Sequence, residues 1–115
     1  PMQALVLMND PTYVEAARVL AQRMMTDVDN SDASGRVQFA FRLATARPPE
    51  PQETRILINV YRDQLAEFRN KKRDALRLVE VGEFPRDSSL DTAELAAWTT
   101  VAGMILSLDE TVTKD

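Results

Sequence analysis

The sequence predicts an all-α protein, a four-helix bundle-like array with short connections. Three observations predict it. Apolar residues recur at steps of three and four in four separate segments, the spacing that gathers side chains on one face of a helix. Helix-start residues stand ahead of those segments: Asp10-Pro11, Glu50-Pro51, and Asp91 with Glu94 three positions on. No stretch gives a convincing strand pattern, and each apolar stripe needs another to cover it. The 115 residues fit a single domain, 1–115, long enough to bury its own core.

The first helix is expected over 11–28. Asp10 caps it, and Pro11 takes the first position, where a missing N–H costs nothing. Val14, Ala17, Ala21, Met24 and Val28 share its apolar face, with Arg18, Gln22, Arg23 and Asp27 off that stripe. The polar stretch 29–35 is a turn by composition. The second helix is expected over 34–46, with Val37, Ala40, Phe41 and Ala44 on one face and Leu43 widening it, as though buried on more than one side. Pro48, Pro49 and Pro51 end it.

The third helix starts at Pro51 and carries Ile56, Leu57, Val60, Tyr61, Gln64, Leu65 and Phe68 at helical period. A straight helix over 51–81 would span about 46 Å at the α-helical rise. A compact domain of this length is roughly 35 Å across. A bend or break near Asn70 is therefore expected, where the polar run 69–74 interrupts the stripe. Gly82 supplies a stop, and 83–90 reads as a loop. The last helix opens at Asp91 with a capping-box pattern. Leu95, Trp98, Ala102, Ile105 and Asp109 trace one face, flanked by Val101 and Leu108.

The chain has no His and no Cys. Triad-type serine chemistry, disulfides, thiolate metal sites and covalent c-type haem within these residues are thereby excluded. Three glycines are too few for a phosphate-cradling loop. The net charge is −4, from 18 acidic and 14 basic residues, which argues against a general nucleic-acid binder. No apolar run reaches the ~18 residues of a membrane span. Pro1 is not an initiator methionine, so further sequence, with any export signal, is expected ahead of it.

Paired carboxylates can run acid–base chemistry or hold a hard cation. Each pair here (Asp29/Asp32, Glu50/Glu53, Asp91/Glu94, Asp109/Glu110) has a cap, dipole or turn role available instead. The basic run 69–73 lacks interleaved aromatics and reads as a solvated bend, with Lys72 laying its stem across the gap in the stripe. Trp98 reads as a core anchor. No catalytic residue, metal ligand or cofactor-binding residue is assigned. Residues 2–8 (MQALVLM) are almost wholly apolar. They either complete the core or face a partner, with Met2, Leu5 and Leu7 as the partner-facing candidates.

Several segments, taken in order, resemble one family. They are the opening Pro1 through Pro11, Phe41-Arg42-Leu43 leading to Arg47-Pro48-Pro49, and Gly82-Glu83-Phe84-Pro85-Arg86-Asp87. Glu94-Leu95-Ala96-Ala97-Trp98-Thr99 and Leu108-Asp109-Glu110 complete the set. Together they resemble a planctomycete-specific domain of unknown function found at the carboxy-terminal end of large proteins, many with an upstream c-type cytochrome domain. The resemblance implies that the chain is the last helical part of a longer, exported or periplasmic polypeptide whose haem lies upstream. It assigns no activity to any residue. Ser107 departs from the Asn the family commonly places before Leu-Asp-Glu.

The reading is a non-catalytic structural and interaction module whose partners are the upstream domains of the same polypeptide, with no nucleic acid, membrane span or small-molecule ligand. The alternative is an accessory part of an exported enzyme, one acting on polysaccharides, with Arg86, Asp87, Asp109 and Glu110 lining a cleft shared with sequence outside the chain. Trp98 or Tyr61 facing solvent beside acids would favour that alternative. If 69–73 bound nucleic acid, binding would depend steeply on salt.

Overall fold

The computed structural model of the chain describes residues 10–28 and 32–114, with side chains as far as 108. These residues are all-helical: α1 (Pro11–Thr26), α2 (Ala33–Thr45), α3 (Pro51–Asn70), α4 (Lys72–Val79) and α5 (Thr92–Lys114), with no strand among them. None of these helices is long and apolar enough to cross a membrane.

The helix starts follow from side-chain chemistry. The Asp10 carboxylate accepts from the Thr12 N–H at 3.0 Å, and Asp32 accepts from Ser34 N–H at 3.1 Å. Asp32 is thus the cap of α2, which begins one residue before the expected Ser34. Pro51 opens α3 while Glu53 accepts from the Glu50 N–H at 2.8 Å. Asp91 accepts from the Glu94 N–H at 2.9 Å ahead of α5. These bonds satisfy amide groups that a helix leaves unpaired in its first turn.

The residues expected as a third helix form two. Lys71 leaves the helical region (φ −127°, ψ 66°), its N–H bonded back to the Glu67 and Phe68 carbonyls. On the far side, α4 buries Ala75 and Val79. It ends at Val79, so Gly82 stands in the following loop.

The last helix differs most from expectation. Its sequence pattern traces one apolar face, but residues 95–99 and 101–103 are all buried. α5 is the central helix and contacts each of the other four. Small residues make this possible: Ala96, Ala97, Ala102 and Gly103 let neighbours approach on sides that would otherwise face solvent. Leu95, Trp98, Val101 and Ile105 fill the space between, against Met24, Val37, Phe41, Leu57 and Val79.

α3 runs antiparallel to α5. Gln64 accepts from the Thr100 hydroxyl at 3.4 Å, Arg69 pairs with Glu94 at 3.8 Å, and Tyr61 stacks on Trp98 with ring centroids 3.9 Å apart. α2 lies to one side, with Phe41 buried under the Arg47 guanidinium. Leu43 is 50% exposed, so α2 is covered on one side only and its expected wider burial does not occur.

Candidate functional site

Two surfaces stand out: a polar ridge on α1 that holds the loop 80–91, and an apolar groove between α3 and α5.

Glu15, Arg18 and Gln22 follow one another at steps of three and four on α1, so they form one row. Each holds main-chain groups of the loop. Glu15 accepts from the Phe84 N–H at 2.6 Å. The Arg18 guanidinium donates to the Phe84 carbonyl, to the Pro85 carbonyl at 3.4 Å and to Gln22 at 3.0 Å. The Gln22 oxygen also accepts from the Asp87 N–H at 3.0 Å. Arg18 is fully buried. Burial pulls its pKa below the usual arginine value, while the Glu15 carboxylate pushes it back up. The chain meets the ridge closely at Gly82, whose φ of +98° and 2.5–2.7 Å approach of a would-be Cβ to Glu15 leave room only for glycine.

Sequence reasoning put Arg18 and Gln22 off the apolar stripe and did not single them out. The available signal was the row itself, three polar residues at helical spacing beside a core face. What it could not show was a loop 65 to 69 residues later lying over that row.

The clamp fixes Phe84. Its N–H is held by Glu15 and its carbonyl by Arg18, while its side chain is 70% exposed. Thr12, Glu15, Ala16, Val19, Leu20, Arg23 and Phe84 line a shallow hollow there.

Arg86 and Asp87 lie in the same loop. The Arg86 side chain is 3.7 Å from Glu80. One Asp87 oxygen accepts from the Ser89 hydroxyl at 2.6 Å and the Ser89 N–H at 3.0 Å, which holds its carboxyl below the usual aspartate range. Asp109 and Glu110 are in α5, but their side chains lie outside the described residues, as do Met2, Leu5 and Leu7. Of the other carboxylate pairs, Glu50/Glu53, Asp91/Glu94 and Asp32 sit at helix starts. Among the described residues, no three Asp or Glu are placed to hold a metal ion.

The groove is different in kind. Ile56 and Leu57 of α3 and Met104, Ser107 and Leu108 of α5 line it, with Glu53 at its edge, around a volume of about 300 Å³. Ile56 is 48% and Leu108 44% exposed. Glu53 is bound bidentately by Arg47, both contacts at 3.0 Å. That hydrogen bonding, with the Glu50 N–H behind it, lowers the Glu53 pKa and raises that of Arg47.

Trp98 is buried against Tyr61, whose pKa is raised by burial and then by the nearby Glu94 charge. In the basic run, Arg69 reaches Glu94 and Lys71 reaches Glu67 at 3.3 Å. Lys72 is exposed, beside Phe68, Ala75 and Leu76 in a separate hollow.

The family described as PSD1, a protein of unknown function (DUF1553), matches residues 1–61. The chain belongs to this family. The match spans the leading segment, α1, α2 and the first half of α3, so it includes Glu15, Arg18 and Gln22 of the ridge but not the loop they hold. Comparison with curated proteins and with solved structures finds no match. Membership in the PSD1 family brings no activity with it.

Proposed function

We propose that this PSD1-family chain is a non-catalytic helical module that packs against the upstream domains of a longer exported polypeptide, at whose carboxy-terminal end it stands. The observation that carries this reading is Phe84. A buried guanidinium and a carboxylate fix the main chain on both sides of an aromatic ring that is left in water. Holding an apolar side chain rigidly outward costs free energy in the isolated domain. It lowers the ordering cost when an apolar surface closes over the ring. Met2, Leu5 and Leu7 belong to the same contact in this reading, and a c-type haem belongs to the upstream polypeptide.

The alternative, an accessory part of a polysaccharide-degrading enzyme, draws less support. Trp98 is in the core and stacked on Tyr61. The Asp87 carboxylate is engaged by Ser89 and Arg86 lies beside Glu80. The test is association of this chain with the remaining polypeptide, followed by size-exclusion chromatography. The expected result is a complex that Phe84→Ser weakens at least about tenfold, the effect of losing one buried aromatic anchor. The absence of a complex at tens of micromolar would defeat the reading.

A further inference from the structure

We propose that the outer row of α1 and the neighbouring face of α2 form one docking strip. Its occupant is a short amphipathic segment of the upstream polypeptide, apolar along one side and carrying a carboxylate where it meets Arg42. Thr12, Ala16, Val19 and Arg23 stand at i, i+4, i+7 and i+11 on α1, so they share one row about 16 Å long. All four are exposed, and the first three are uncharged. The outer face of α3 is the contrast, since Arg55, Arg62, Asp63 and Glu67 keep it charged. Beside the α1 row the Phe84 ring, 70% exposed, lines the same hollow of about 410 Å³. A second hollow, of about 500 Å³, lies on α2, where Phe39 and Leu43 follow at i, i+4 with Arg42 beside them. The Arg23 guanidinium stands over the Phe39 ring, 5.5 Å from its centre. Arg23 lines the first hollow and Phe39 the second, so the two are neighbours across that contact.

Shape and charge select the occupant. Both hollows are shallow and open, whereas a small molecule is held where about 70–90% of its surface is buried. A second copy of the chain would need roughly 800 Å² from each partner. A row of about 16 Å by the ~10 Å width of a helix gives a few hundred at most, even with the α2 face added. A tethered segment needs less area, because its effective concentration is on the order of millimolar. Three charged side chains line the hollows. Glu15 accepts from the Phe84 N–H, and Arg23 is paired with Asp27 at 3.0 Å. Arg42 is exposed and has no ion pair among the described residues. The unmatched charge is therefore positive and stands at the Leu43 end, where a carboxylate complements it. The source of the segment rests on the proposed function; the apolar strip and its open charge do not.

The absence of native cysteine gives a clean test in the full chain. Ala16→Cys and Leu43→Cys mark the two hollows, and Arg62→Cys, on the exposed face of α3, is the control. Each variant is labelled with a thiol-linked benzophenone, mixed with the remaining polypeptide and irradiated. Cross-links from the two hollow sites are expected at least about tenfold above the control, both mapping by mass spectrometry to one stretch of no more than about twenty residues. Cross-links from one hollow only, from all three sites alike, to distant stretches, or between copies of this chain overturn the docking strip while leaving the packing module standing. If no complex forms, both fail. A second readout tests the charge. Arg42→Glu is expected to weaken the complex at least about fivefold, and Arg42→Lys and Arg62→Glu each by less than about twofold. An Arg42→Glu effect no larger than that of Arg62→Glu overturns the carboxylate.

Discussion

The α1 ridge and the α3–α5 groove differ in what their side chains have been given to touch. On the ridge, Glu15, Arg18 and Gln22 each bond to main-chain groups of the loop, and the guanidinium is removed from water altogether. In the groove, Ile56 and Leu108 remain half in water beside a carboxylate whose needs are met by Arg47. Polar groups taken out of water need partners within the fold, since an unpaired one costs several kcal/mol. Apolar groups left in water cost less and stay available to another surface. The ridge thus makes its bonds within the chain, with the Arg18 Nε left without a partner, while the groove keeps apolar groups half in water. Breaking the first is expected to cost the fold much of its stability, and changing the second to cost it little.

The largest effect belongs to Arg18. In Arg18→Ala the Phe84 and Pro85 carbonyls lose their donor, Gln22 loses one of its two, and a buried volume empties. Removing one member of a buried charged network costs about 3 kcal/mol. Urea denaturation should show that loss as a lower midpoint with little change in slope. A loss under about 1 kcal/mol would mean that the loop holds its place without the guanidinium, and the contrast between the two surfaces would fail.

Gly82→Ala tests the same clamp from the loop side. The substitution meets two costs: a φ of +98° that L-residues rarely adopt, and a Cβ that would lie 2.5–2.7 Å from Glu15 carbons including its Cβ. The Glu15 stem cannot clear the methyl group by swinging its far end alone. A loss of about 2 kcal/mol is expected. In a Gly82→Ala, Glu15→Ala double variant the clashes with the Glu15 Cγ and Cδ are removed while the 2.7 Å contact with its Cβ stays, so that the steric part is relieved in part and the two changes cost less together than their sum.

These two positions also show what the sequence could and could not disclose. Three helix starts were legible because their chemistry is local: Asp10, Glu53 and Asp91 each act on an amide two or three residues away, whereas Asp32 does the same for α2 from within a polar stretch that reads as a turn. The apolar faces of α1 and α2 were legible for the same reason, as a period within one segment. The central place of α5 was not. A stripe of Leu95, Trp98, Ala102 and Ile105 suggests one covered face, and only the packing shows that Ala96, Ala97 and Thr99 are covered too. Arg18 was illegible for a stronger reason. Its main-chain partners lie 66 and 67 residues away, and nothing in a charged residue beside an apolar stripe distinguishes a solvated arginine from a buried one.

At the edge of the groove, acid should have a smaller effect than either ridge substitution. The Glu53 pKa is lowered in the folded chain by its hydrogen bonds to Arg47 and to the Glu50 N–H. The stabilisation is therefore present above the ordinary glutamate value and is lost as pH falls through the lower folded value, below about pH 4.5. The pair is largely solvent-exposed, so the melting-temperature difference between Glu53→Gln and the parent should be no more than about 3 °C at pH 7. It should shrink as the pH falls below about 4.5. A difference that persists in acid would trace the effect to the amide's shape rather than to the carboxylate charge.

The smallest expected change in stability is at Phe84, and its smallness is the point of the comparison. The ring lies in the same loop as the clamp, carried by the α-carbon that joins the two groups Glu15 and Arg18 hold. Phe84→Ser keeps the N–H and the carbonyl, so both clamp bonds survive, and it removes a side chain that is 70% exposed. Thermal unfolding should move by less than about 0.5 kcal/mol, as for other surface substitutions, although large aromatics removed from a core cost 3–5 kcal/mol. If Phe84→Ser destabilised the isolated chain as strongly as Arg18→Ala does, the ring would be part of the domain's own packing. The clamp would then serve to close the core, and Phe84 would no longer be a side chain held in place for another surface.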